Sequence, residues 1–140
     1  QFDDRLIIEQ GISGRELECG VLESKSLTAS PVGEISFENE WYDYETKYSK
    51  GNSKAIIPAA IPSQIQKEVQ ELSVAACKAI GVNGLARVDF FYKETTQELW
   101  VNEINTLPGF TEESMYPSLW NAAGLSLDKL VAKIVASARQ

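Results

Sequence analysis

The chain has 140 residues, an ordinary apolar fraction of 44% and a net charge of −7 from 13 basic and 20 acidic side chains. That length allows one domain with a real core, while the acidic balance argues against a nucleic-acid or anionic-membrane surface. With no histidine at all, imidazole acid–base, triad and zinc chemistry are excluded within the chain.

Residues 1–5 run straight into Leu6-Ile7-Ile8-Glu9-Gln10, which reads as a strand over about 5–10 with no preceding partner, the expectation for a fragment or a separately numbered segment. Further strands are expected from Glu16 to Glu23 and from Pro31 to Phe37, punctuated by Gly11, Gly14 and Ser24-Lys25-Ser26. Cys19, in the first of these, and Cys77 belong to no metal-type cluster and read as small buried thiols of a reducing compartment. From Glu38 to Lys54 the chain is polar and aromatic without a steady period, as in a long functional loop. Pro62 and Gly81 bracket a helix in which Ile65, Val69, Leu72, Ala76, Ala79 and Ile80 keep one apolar stripe. Strands from Arg87 to Phe91 and from Glu98 to Asn105 follow, joined by a polar turn centred near Thr96. Thr111 is placed to cap a helix opened by Glu112 and Glu113 and stopped by Gly124. Ser126 caps the last helix, with Leu127, Leu130, Val131, Ile134, Val135 and Ala138 on one face. No run approaches membrane-spanning length. This order fits an α+β domain, an antiparallel sheet with helices packed on one side.

The chemistry concentrates in Arg87-Val88-Asp89 and Glu103-Ile104-Asn105, each with polar residues at i and i+2 on one face of a strand. A hairpin closing around Thr96 sets Asp89 opposite Glu103 and Arg87 opposite Asn105. Opposed carboxylates are destabilising, by about 4 kcal/mol at 4 Å and an effective dielectric of 20. A divalent cation removes the conflict, and carboxylate with amide oxygen is a set that Mg²⁺ accepts, usually together with waters and substrate phosphates. The other reading is a solvated face on which Asp89 pairs with Arg87.

Three further groups stand out. Pro108-Gly109 between the last strand and a helix is either a plain turn or a place where backbone N–H groups meet an anion. The aromatic stretch from Trp41 to Tyr48, with Lys47 inside it, either covers a ligand or pins a loop to the core. Glu9 and Glu16 flank the turn between Gly11 and Gly14, there to meet sugar hydroxyls or adenine, or simply solvated.

Together these residues resemble the D-alanine–D-alanine ligases, an ATP-grasp family. Gly84-Leu85-Ala86-Arg87-Val88-Asp89-Phe90-Phe91 followed by Asn102-Glu103-Ile104-Asn105-Thr106-Leu107-Pro108-Gly109 looks like the family's C-terminal signature. Tyr42-Asp43-Tyr44-Glu45-Thr46-Lys47-Tyr48 is similar to its ω-loop, and Ile8-Glu9-Gln10 through Gly14-Arg15-Glu16-Leu17 to its nucleotide hinge. The resemblance covers essentially the whole chain and implies an ATP-grasp C-terminal catalytic region over residues 1–140 that begins within the family's central, ATP-binding part.

The activity implied is activation of one D-alanine by the γ-phosphate of ATP to an acylphosphate, then attack by the amine of a second D-alanine. The dipeptide serves peptidoglycan synthesis, which implies bacterial cytosol, and the family is often dimeric. By the same resemblance, Asp89, Glu103 and Asn105 would hold two Mg²⁺ ions, or Mn²⁺, with Glu103 bridging. Arg87 and the Gly109 N–H would stabilise the developing oxyanion, and Ser114 would bind the second D-alanine's carboxylate. Glu16 would meet the ribose, while Glu9, Gln10, Ile12, Trp41 and Asn102 would make further nucleotide contacts. Lys47 would approach the transferred phosphate, and Tyr48 would close the ω-loop. The family's N-terminal domain and the early part of its central domain have no counterpart here, so the chain is expected to need that missing part of the same enzyme. Other readings are another ATP-grasp carboxylate–amine ligase, such as one that takes D-serine, and a non-catalytic nucleotide-binding fragment.

Overall fold

The computed structural model describes residues 5–37 and 53–138. Five antiparallel strands form one sheet: β1 (Arg15–Glu23), β2 (Leu27–Phe37), β3 (Ser53–Ile56), β4 (Leu85–Lys93) and β5 (Glu98–Asn105), in the order β3-β2-β1-β4-β5. Helix α1 (Ser63–Ala79) connects β3 to β4, and α2 (Met115–Ala122) and α3 (Leu127–Ser137) follow β5.

Alternation along the strands divides the sheet into two unlike faces. Leu17, Cys19 and Val21 of β1 and Ala86, Val88, Phe90 and Tyr92 of β4 pack with Ile65, Val69 and Cys77 of α1. Those α1 positions, with Ser73 between them, recur every four residues, and the Ser73 hydroxyl donates to the Val69 carbonyl at 2.7 Å. The apolar stripe read from the sequence is therefore rotated: Ile80 is left 60% exposed while Cys77 is buried.

The helices are shared between the faces. Whereas α1 covers the first, α2 and α3 cover one end of the second, where Leu22, Tyr116, Trp120 and Leu130 form their own cluster. This refines the one-sided packing expected from the sequence. Two glycines make the close seat of α2 possible: a methyl at Gly20 would lie 3.0 Å from Trp120 Nε1, and one at Gly33 2.8 Å from Leu119 Cδ2. The Tyr116 hydroxyl donates to the Val21 carbonyl at 2.9 Å and ties the helix to the central strand.

Helix ends follow their punctuation with one exception. After α1 and α2, Gly81 (φ +69) and Gly124 (φ +81) turn the chain, and the next N–H groups, of Val82 and Leu125, return to the Cys77 and Trp120 carbonyls. The exception is the start of α2: Ser114 is the N-cap, not Thr111. Pro117 explains this, because proline is tolerated in a first turn but would clash inside a helix begun at Glu112. Among strands, β2 starts at Leu27, earlier than expected, β3 takes in Ser53 and Lys54 from the expected loop, and residues 5–13 form no strand. Leu6, Ile7 and Ile8 are 87%, 87% and 93% exposed; an apolar run becomes a strand only with a partner to take its hydrogen bonds.

Arg15 fixes the far end of the sheet. Its guanidinium donates to both Glu34 oxygens at 2.8 and 2.7 Å and to the Ala60 carbonyl at 3.0 Å.

Gly33→Ala is expected to cost about 1–3 kcal/mol of stability through overpacking against α2. Gly11→Ala, where the added methyl meets nothing within 4 Å, should stay within about 0.5 kcal/mol. Equal losses in urea unfolding would contradict the close helix seat.

Candidate functional site

The half of the second face that α2 leaves open carries the polar residues singled out above. Asp89 pairs with Glu103 and Arg87 with Asn105 across β4 and β5, as the sequence indicates. The route to that register is not a plain hairpin. Next to the turn the pairs are Lys93 with Glu98, Tyr92 with Leu99 and Phe90 with Val101. The register then shifts between Asp89 and Phe90, leaving Asn102 as the extra residue of a bulge. Without it Asp89 would face Asn102, and Glu103 would point into the core. The bulge also explains how Leu99 and Ile104, an odd number of residues apart, both pack on the α1 core.

On the other side of β4, Glu18 of β1 pairs with Asp89 and Gly20 with Arg87. The row Gly33, Glu18, Asp89, Glu103 thus crosses four strands. Arg87 is its charge centre. It donates to both Asp89 oxygens, from Nε and a terminal nitrogen, at 2.7 Å each, and its Nε lies 3.0 Å from Glu18 Oε2. The guanidinium pKa is held above its ordinary value, first by the hydrogen bonds to Asp89 and further by the Glu18 charge. Glu18 is only 5% exposed; burial, then the Asp89 charge, push its carboxyl up to about 8 against the opposing pull of Arg87. Its Oε2 is buried without a hydrogen bond, because the Arg87 Nε–H is directed to Asp89.

Sequence reasoning missed Glu18. The signal was available: Glu16 and Glu18 stand at i and i+2, alternating with apolar Leu17 and Cys19, the same pattern as Arg87 and Asp89. Both glutamates lie on the site face, paired with Phe91 and Asp89.

Beyond β5 the Asn105 side-chain oxygen accepts the Leu107 N–H at 3.0 Å, which directs the chain into the Pro108-Gly109 turn. There Ser114 Oγ accepts the Thr111 N–H at 3.0 Å and shares a proton with Thr111 Oγ1 at 2.8 Å. A methyl on Gly109 would lie 3.0 Å from the same Ser114 oxygen, so Gly109 and Ser114 adjoin, at the N-terminus of α2.

A family profile described as D-ala D-ala ligase C-terminus matches residues 1–136. The chain belongs to this family. It is 55% identical over 138 residues to a D-alanine--D-alanine ligase of Prochlorococcus marinus, covering 99% of this chain and 39% of that protein. Among solved structures it is similar to the VanG D-Ala:D-Ser ligase of Enterococcus faecalis, with TM-score 0.78 and 38% identity over 91% of this chain and 37% of that one. It is also similar to the D-alanine--D-alanine ligase of Bacillus anthracis complexed with ATP, with TM-score 0.74 and 31% identity over 92% and 41%. The chain therefore spans about two fifths of the length of the ligases it matches.

Within this ligase C-terminal fold the expected residues fall into three sets. Arg87, Asp89, Glu103, Asn105 and Glu16 share one face, with Asn102 at the exposed bulge and Gly109 and Ser114 at the α2 end. Glu9 and Gln10 are exposed and Ile12 half-buried in the irregular segment before β1, not joined to the sheet. Trp41, Lys47 and Tyr48 lie outside the described residues. No three His, Cys, Asp or Glu side chains among the described residues form a ready metal cluster, and both Asp89 oxygens are turned to Arg87. Nor is any helix long and apolar enough to cross a membrane among those residues.

Inserting one alanine after Asn102 is expected to cost several kcal/mol by shifting Glu103 one place, into the core, whereas deleting Asn102 leaves a continuous ladder with Glu103 still opposite Asp89 and should cost less. Asn102→Ala, which keeps the extra residue, should stay within about 1 kcal/mol. Near-native stability of the insertion variant in urea unfolding would contradict the bulge's role.

Proposed function

We propose that this chain is the metal and nucleotide part of an ATP-dependent D-alanine–D-alanine ligase. The observation that carries the reading is the pairing of Asp89 with Glu103 and Arg87 with Asn105 on an open sheet face, within a fold similar to a ligase complexed with ATP. The donor set fits Mg²⁺ or Mn²⁺: two carboxylates and an amide oxygen on adjacent strands, with positions left for water and phosphate. Asp89, Glu103 and Asn105 would hold the ions, Glu103 bridging two of them. When bound, such ions neutralise the charge of the phosphate oxygens during transfer and orient them.

The chain's own groups do the rest. Arg87 and the Gly109 N–H are donors for the oxyanion that develops as the second D-alanine attacks the acylphosphate. Ser114, beside Gly109 at the start of α2, is a donor for the carboxylate of that second substrate. Glu16 accepts from the ribose hydroxyls; Glu9, Gln10, Ile12, Trp41 and Asn102 make the remaining nucleotide contacts. Lys47 meets the transferred phosphate, and Tyr48 closes its loop, excluding water that would hydrolyse the acylphosphate. The partners are ATP, D-alanine, the remainder of the same ligase and a second copy in a dimer. The setting is peptidoglycan synthesis in a bacterial cytosol. D-Serine is the runner-up second substrate, supported by the likeness to a D-Ala:D-Ser ligase at 38% identity.

Mg-ATP and D-alanine given to the complete enzyme carrying this region are expected to yield ADP and D-Ala-D-Ala, identified by mass. Exclusive formation of D-Ala-D-Ser from mixed amino acids would favour the runner-up, and ADP without dipeptide would sink both. In the same enzyme Glu103→Gln should lower turnover at least about a hundredfold, as for a lost transition-state contact. Near-native rates at saturating Mg²⁺ would remove Glu103 from its bridging role.

A further inference from the structure

The ion pair at the centre of the site conflicts with the proposed use of Asp89. Arg87 occupies both Asp89 oxygens. A cation ligated by either oxygen competes with these hydrogen bonds and sets a like charge beside the guanidinium. Inside a partly buried site such a like charge repels the guanidinium more strongly than it would in water. Arg87 is half-buried between two strands, so release into water is not its nearest alternative.

A second acceptor already lies within reach. Glu18 Oε2 is 3.0 Å from Arg87 Nε, buried, and without a hydrogen bond. Glu18 is the cross-strand partner of Asp89 on the side away from Glu103, so turning toward it carries the guanidinium away from the cation. A carboxyl group keeps an acceptor oxygen in either protonation state.

We propose that Glu18 is a positioning residue that takes over the Arg87 guanidinium when Asp89 turns to a metal ion. The hand-over rests on the metal reading above and adds a residue to it. It keeps Arg87 anchored, ready to donate toward the oxyanion, in the metal-loaded site. The bidentate pair with Asp89 is then the resting arrangement, and Glu18 the partner in the loaded one.

The test uses the complete enzyme carrying this region with Mn²⁺ alone, titrated by the electron paramagnetic resonance of the free ion. Glu18→Leu should weaken Mn²⁺ binding about tenfold, the equivalent of one hydrogen bond to a charged group. In an Arg87→Met background the same substitution should change affinity less than about twofold, because no guanidinium remains to be rehoused. An equal loss in both backgrounds would make Glu18 a plain negative charge near the ion and overturn the hand-over. With Mg²⁺, the Arg87 Nε–H proton resonance should persist in the wild type and be lost to water exchange in Glu18→Leu; persistence in both also overturns it. Glu18→Gln keeps the side-chain volume and, if the leucine variant fails to fold, is read the same way with a smaller loss, about threefold. No Mn²⁺ binding by the wild type would remove the metal reading and the hand-over together. Wild-type binding with unchanged affinity in the variants would remove the hand-over alone.

Discussion

One extra residue in β5 decides what this sheet can be. A strand that presents Leu99 and Ile104 to the same core must break its alternation between them, and the bulge at Asn102 is where it does so. The same shift turns Glu103 and Asn105 outward and sets them opposite Asp89 and Arg87. Core and site are therefore solved by a single irregularity, and neither could change its register alone, since a slip by one residue exchanges the two faces. Bulges recur beside active sites because they re-aim side chains without altering the rest of a strand.

The bulge gathers acids, and Arg87 makes their company tolerable. Glu18, Asp89 and Glu103 stand in one row across β1, β4 and β5, which without a cation would be a column of repelling charges. Arg87 lies one pleat along the same face and reaches back to two of the three. Glu103, at the exposed edge, is open to water. One guanidinium thus balances two acids of the row directly.

How much of this was legible in the sequence varies with the range of the forces involved. The hairpin and its cross-strand pairs were legible because strand alternation and a polar turn act over a few residues. The expected turn centre was slightly late, since the loop lies between Lys93 and Glu98, and the bulge absorbed the difference. The start of α2 was misread because Glu112 and Glu113 suit a first turn, while the decisive residue, Pro117, lies further along and acts by exclusion. The strand expected over about 5–10 had its composition but no neighbour, and pairing is not a property of one segment. Glu18 was overlooked for a related reason. Its alternation with Leu17 placed it on a strand face, but its burial beside Arg87 comes from β1 lying next to β4, a pairing of distant segments that the alternation does not specify. Membership of the ligase family was legible because short signatures survive in order along the whole chain.

The division of the second face completes the design. Gly20 and Gly33 remove side chains where α2 descends, and Tyr116 fastens the helix to the β1 backbone. Two residues along β1 from Gly20, and directly across from Gly33, stands Glu18. The buried acid thus lies at the boundary where apolar cover ends and the charged rows begin. Glu18 is buried beside the two glycines on which α2 packs, so the charged rows begin where a steric choice on the same and the neighbouring strand ends.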